Sequence, residues 1–148
     1  MITRRNMLAA SFFAGLCLPT VSRGQPKSSE SGNMKFKITF NGMSLTGTLE
    51  DKPAATDLLA MLPLDLKIED HSTNEKIAYL PRKLKRIKDD PFNDARPGDI
   101  GYYAPWGNLV FYYDSYRYSP GLIRLGRFEG GFDPLLTRGE FPLRIEAV

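Results

Sequence analysis

The sequence predicts a mainly β domain, a closed or nearly closed barrel of about eight short strands with one or two short helices. Three observations carry that prediction. Polar and apolar residues alternate along several short runs, turn residues separate those runs, and only one stretch is rich in helix formers.

The first element begins near Met34. In Lys35-Phe36-Lys37-Ile38-Thr39-Phe40 the apolar residues fall at every second position, which sends Phe36, Ile38 and Phe40 to one face of a strand. Asn41-Gly42 follows, the pair best suited to the positive φ angles of a type I′ turn. Met43, Leu45, Gly47 and Leu49 then alternate with Ser44, Thr46 and Thr48, so the domain opens on a hairpin with one buried face. Beyond Asp51-Lys52-Pro53, the run from Ala54 to Leu62 predicts a helix, with Asp51 suited to its cap, Pro53 to its first turn and Pro63 to its stop. At about nine residues it needs tertiary packing to persist.

Strands then return. Leu64, Leu66 and Ile68 alternate with Asp65, Lys67 and Glu69, and Ile77 to Leu80 precedes Pro81. Asp99 to Ala104 and Asn108 to Asp114 flank Pro105-Trp106-Gly107, and Leu122 to Phe128 and Leu143 to Val148 complete the set.

Ahead of the domain, Arg4 and Arg5 precede an uncharged stretch from Asn6 to Ser22 that contains Met7, Leu8, Phe12, Phe13, Leu16 and Val21. Its apolar part is shorter than the about 20 residues of a membrane span, and Pro19, Arg23 and small residues close it. Residues 1–24 therefore read as a signal peptide cut after Gly24, with an uncleaved anchor as the alternative. Thr3-Arg4-Arg5-Asn6-Met7-Leu8 resembles the twin-arginine export motif, with Met7 where that motif usually has Phe. Residues 25–33 are polar and read as a disordered tether, leaving 34–148 as one domain. The expected location is periplasmic or secreted.

The chain carries 20 Lys and Arg against 17 Asp and Glu. Arg4, Arg5 and Arg23 fall in the signal, which has no acidic residue, and removing those three leaves 17 basic against 17 acidic residues. A balanced domain has no global field for nucleic acid or, once the signal is cut, for a membrane, so neither is expected as a partner. Cys17 is the single cysteine and lies in the signal. The mature domain thus has no disulfide, thiolate nucleophile or Cys-ligated metal. Leu16, just before Cys17, is too large for a lipoprotein site.

The common catalytic signatures are missing from the sequence. It has no phosphate-cradling Gly-rich loop, no nucleophile elbow and no paired His at metal spacing, so neither a metal nor a cofactor is expected. His71 is the only histidine; beside Glu69 and Asp70 it offers a weak ligand or base, yet a lone loop His is more often neither. Lys83-Leu84-Lys85-Arg86-Ile87-Lys88 is followed at once by Asp89, Asp90 and Asp94 and reads as a solvated segment. Glu75 and Lys76 are neighbours on a strand and face opposite sides, so one of them points inward or covers a barrel end. A buried Glu75 would shift its pKa and become a site candidate; the plainer reading is a structural Glu satisfied by backbone amides.

The densest patch of polar-tipped aromatics runs from Ile100 to Tyr113, with four tyrosines and the only Trp in one hairpin. Such side chains hold an extended peptide or a flat ligand well, and line a barrel core equally well. Tyr103, Phe111 and Tyr113 weigh toward the core. Trp106, Asn108 and Tyr112, at or beside the turn, divide evenly between core and site.

The block from Pro97-Gly98-Asp99-Ile100-Gly101 through Trp106-Gly107-Asn108 to Tyr112, with Glu75 to Pro81 upstream and Leu122 to Phe128 downstream, resembles the bacterial cyclophilin-like fold proteins, a group of uncharacterised domains. The resemblance spans nearly all of 34–148 and implies an eight-stranded barrel closed by short helices. True cyclophilins are peptidyl-prolyl isomerases, in which an Arg, a Phe and a Gln after one strand and a Trp and a His near the end divide the work. This sequence departs from that pattern. It has no Phe-His-Arg or Gln-Gly-Gly-Asp-Phe run between Tyr79 and Ile87, and Tyr118 to Gly126 replaces the Trp-containing segment. Arg82 or Arg124 is the candidate donor to a prolyl nitrogen.

The expected function is an exported binding domain for a small molecule or an extended peptide. Glu75, Tyr79, Tyr102, Trp106, Asn108 and Tyr112 are its candidate ligand-binding residues, with Arg82 and Arg124 beside them. A divergent prolyl isomerase and a structural interaction module are the alternatives, because a fold does not fix a function. No catalytic residue, ligand identity or oligomeric state follows from the sequence.

Overall fold

The alternation from Lys35 onward becomes strands β1 (Met34–Phe40) and β2 (Met43–Leu49). At the turn between them Asn41 and Gly42 have φ of 49° and 71°, the two left-handed conformations that a type I′ turn demands. Phe36, Ile38 and Phe40 from β1 and Leu45 and Leu49 from β2 are buried together. The computed structural model that gives these positions describes Gly15 and residues 34–148. The expected signal peptide and tether, 1–24 and 25–33, lie outside the described residues apart from Gly15.

Helix α1 (Pro53–Met61) starts on Pro53 and buries Ala54, Ala55 and Leu58 in the same core. Its cap position is held by Lys52 rather than Asp51, and no side chain caps it. The physical reason lies in Lys52 itself, whose ammonium is drawn to Glu50 at 2.7 Å, Asp90 at 2.8 Å and the Arg124 carbonyl at 2.9 Å. Those contacts fix the chain entering the helix from the side.

The remaining strands are β3 (Leu64–His71), β4 (Glu75–Tyr79), β5 (Asp99–Tyr103), β6 (Asn108–Tyr112), β7 (Leu122–Phe128) and β8 (Phe141–Ala147), with a 3-10 helix at Asp133–Leu136. All pairs are antiparallel and close a barrel in the order β1-β2-β7-β5-β6-β4-β3-β8. Among the described residues, eight strands, one α-helix and one 3-10 helix match the expected architecture.

The two-residue period of each strand decides which side chains fill the barrel. Ala78, Ile100, Tyr102, Leu109, Phe111, Ile123 and Leu125 point in and join the main core. Lys76 points in as well, fully buried, and its ammonium pairs with Asp70 at 2.7 Å. The intervening residues Ile77, Val110, Tyr112 and Leu122 point out, yet they too are buried, in a second apolar cluster with Phe92, Tyr103 and Tyr116. One outer face of the barrel is therefore covered rather than bare.

Candidate functional site

β4, β6, β5 and β7 lie side by side in that order of pairing, and their outward residues share one surface. On it lies a pocket of about 220 Å³. Ile77, Val110 and Leu122 give it an apolar floor, while Ser119 lies at the edge. His71, Glu75 and Tyr112 line one part, and Tyr103, Trp106 and Asn108 the other.

Trp106 is held in place by its neighbours. It sits in the β5–β6 turn, where its N–H donates to the Tyr103 carbonyl at 3.2 Å. Its ring meets His71 edge-on at 5.1 Å and 87°, and Tyr103 at 5.4 Å and 77°, both favourable quadrupole arrangements. His71 pairs with Glu75 at one end of β4, whereas Asn108, two residues after Trp106, pairs with Tyr79 at the other end. The indole therefore reaches back along the pocket instead of standing over its own turn, and it remains 48% exposed.

Asn108 is wholly buried, and neither its Nδ2 nor its Oδ1 has a hydrogen-bond partner. Buried polar side chains are nearly always bonded, and leaving such a group bare costs about 1–3 kcal/mol. The amide carries both a donor and an acceptor, and since neither atom is open to solvent, a ligand in the pocket reaches them only when the side chain or its cover shifts. Glu75 is half-buried, and burial raises its pKa above the usual glutamate range, partly offset by His71, whose Nε2 lies 3.8 Å from Oε1. His71 is its only ion-pair partner among the described residues. Tyr112 stacks flat on Tyr116, at 3.6 Å and 6°, and burial with the charge of Glu75 pushes its phenol pKa well up.

The structure thus brings Glu75, Trp106, Asn108 and Tyr112 to one pocket. Tyr79 lies on the same outer face but stands 49% exposed at the end of β4, outside the pocket lining. Tyr102 points into the barrel, where its hydroxyl accepts the Leu84 N–H at 3.1 Å, so it is a core residue. Arg82 grips Asp57 with two bonds of 2.8 Å and holds that carboxyl far below its usual pKa. Arg124 reaches Glu50 at 2.9 Å and Asp94 at 2.6 Å, and lies over the Phe92 ring at 4.7 Å. Neither arginine lines the pocket.

His71 and Tyr103 are among the lining residues that sequence reasoning did not single out. His71 looked like an idle loop residue, and Tyr103 weighed toward the core. A signal for the covered outer face does exist, since β6 reads Asn108-Leu109-Val110-Phe111-Tyr112, four apolar or aromatic residues running without alternation. Such a run marks a strand buried on both faces.

Two other hollows flank α1. One of about 400 Å³ is lined by Thr56, Asp57, Lys85 and Arg86, and one of about 230 Å³ by Lys52, Lys88 and Asp90. Both are at least as large as the pocket at Trp106. The carboxylate of Asp57 and the ammonium of Lys52 are already paired there, and neither hollow contains a buried side chain without a partner. Chemistry, rather than volume, singles out the pocket at Trp106.

A closed eight-stranded antiparallel barrel with one helix and a short 3-10 turn is the architecture of the cyclophilin-like folds. The cyclophilin-like family model matches residues 38–146, and the chain belongs to that family. A hypothetical protein from Archaeoglobus fulgidus, solved in solution, superposes with a TM-score of 0.64 at 12% identity, over 78% of this chain and 95% of that one. At that identity the likeness concerns the fold alone. No curated protein matches the chain.

Proposed function

We propose that this is an exported binding domain whose outer pocket takes a small molecule or an extended peptide segment. The observation that carries the reading is the bare amide of Asn108, buried in a pocket walled by Trp106, Tyr103 and Tyr112. Ligand sites combine apolar and aromatic walls with a few placed polar groups, and an unpartnered buried amide is strained until something bonds it. A peptide group or a carboxamide supplies the matching acceptor and donor.

Prolyl isomerisation ranks below binding. It needs a donor aimed at the prolyl nitrogen, and Arg82 and Arg124 are both committed to carboxylates. Export rests on the first 24 residues, and the mature chain then begins near Gln25 in the periplasm or medium.

The chain contains one Trp, so indole fluorescence reports on the pocket alone. Titration with a library of amide-bearing small molecules and short peptides is expected to shift or quench that signal saturably. The response should weaken in Asn108→Leu protein of unchanged fold. A signal that no member of the library moves would remove the binding reading.

A further inference from the structure

The pocket carries one acidic group and no cationic counterpart from Lys or Arg. Among the described residues, every other carboxylate buried as deeply or more deeply has a partner: Asp70 holds Lys76, Asp57 holds Arg82, and Asp99 holds Arg127 and the Tyr116 hydroxyl. Glu75 faces only His71, at 3.8 Å, and the aromatic surface formed by Tyr112, Trp106 and Tyr103. Among the described residues, no backbone amide and no Lys or Arg compensates it. Burial raises its pKa, as it does for any carboxylate held out of water without a partner.

A half-buried carboxylate beside electron-rich ring faces is the arrangement that attracts an organic cation. The carboxylate supplies charge-assisted hydrogen bonds, and the rings supply cation–π attraction. At the other end of the pocket, the bare Asn108 amide asks for a neutral amide partner. Glu75 and Tyr79 stand four residues apart on β4, and Asn108 is the Cα partner of Tyr79. At about 3.3 Å per residue, the carboxylate and the amide are based about 13 Å apart along the strands. Between them lie the apolar Ile77 and Val110.

The geometry points to a ligand that carries an ammonium or guanidinium group at one end, seated on Glu75, and a peptide or carboxamide group at the other, seated on Asn108. This deepens the binding reading above and rests on it. An extended arginine side chain followed by one further residue covers the span, since an extended chain advances about 3.3–3.6 Å per residue. His71 sets a limit on such binding. It lies on β3 beside Glu75, with its Nε2 3.8 Å from the carboxylate, so an incoming cation must share Glu75 with the imidazole.

The test compares N-acetyl-arginyl-alanine amide with its citrulline counterpart, which has the same shape and no charge, by calorimetry and by Trp106 fluorescence on the mature protein. The arginine compound is expected to bind roughly tenfold or more tighter than the citrulline compound. Glu75→Gln should bring the two to equal affinity, whereas Asn108→Leu should weaken both alike. Melting curves of the two variants verify that each is folded. Equal affinity of the two compounds for the unaltered protein would overturn the cation assignment and leave the pocket reading standing. Binding of neither would overturn the assignment, and the wider amide library then decides whether the pocket reading falls with it.

Discussion

Asn108 and Glu75 place polar groups where the packing of the barrel does not use them. The amide has no partner, and the carboxylate is kept half out of water. A residue of this kind destabilises the protein that contains it, and replacing it should have the opposite effect. Asn108→Leu is therefore expected to raise the unfolding free energy by about 1–2 kcal/mol in urea titrations, since an apolar side chain of similar size needs no bond. A lower stability for this variant would mean that the amide is satisfied in solution. Glu75 gives a second expectation, with a sign fixed by linkage. Its native pKa is raised, so between the ordinary glutamate value and the raised one the folded state binds more protons than the unfolded state. Stability from this group falls as pH rises through that window and stays low above it. Glu75→Gln should thus melt higher than the unaltered protein at neutral pH, and the gap should close on acidification below the ordinary glutamate range. Parallel melting curves at all pH values would show that Glu75 is well solvated.

Among the elements, the pair β2–β7 is short, with register partners running only from Gly47 opposite Phe128 to Leu49 opposite Gly126. A Cβ at Gly126 would fall 2.1 Å from the Thr48 carbonyl oxygen and 2.9 Å from the Leu49 Cα. Those are backbone atoms of the facing strand and cannot move without opening the ladder. Gly126→Ala is expected to destabilise the domain by about 3 kcal/mol or more, read from the denaturation midpoint, and a shift under about 1 kcal/mol would contradict the tight β2–β7 approach. Elements of this barrel were readable in the sequence where the deciding physics is local. The β1–β2 hairpin shows its period and its Asn41-Gly42 turn within sixteen residues, and Pro53 and Pro63 bracket α1. The site was half readable, because the cluster of aromatics around Trp106 is local while the facing of each strand is not. Tyr102 and Tyr103 differ by one position, and only the register of β5 against β6 and β7 sends one to the core and the other to the pocket. Arg82 and Arg124 were misleading for the same reason, as their partners Asp57, Asp94 and Glu50 lie 25, 30 and 74 residues away in the chain. Asp51 failed as a cap through contacts of Lys52 that also reach across the chain.

At the scale of the whole molecule, closure of the barrel removes every free strand edge, so an extended ligand cannot be held by adding a strand. The interior is no alternative, being filled by Phe36, Phe40, Tyr102, Phe111 and the Lys76–Asp70 pair. Chemistry is thereby confined to the outer surface, and there the molecule uses its arginines as ties. Arg124 and Arg127 bind Asp94 and hold its pKa down at about 2, fastening the long segment between β4 and β5 onto β7. Arg82 does the same for α1 through Asp57. Catalysis of prolyl rotation would require one of these guanidiniums to leave its carboxylate and aim at the prolyl nitrogen, in a site whose power comes from donors already in position. Loss of one such donor typically removes about 2.7–4 kcal/mol of transition-state stabilisation, a hundredfold or more in rate. Isomerase activity of the mature protein on a short Pro-containing peptide, followed by a coupled protease, is therefore expected at the background rate, and Arg82→Ala and Arg124→Ala should change stability without changing that rate. Strong isomerisation that either substitution abolishes would show that the tie is released on binding, and would make this barrel an enzyme.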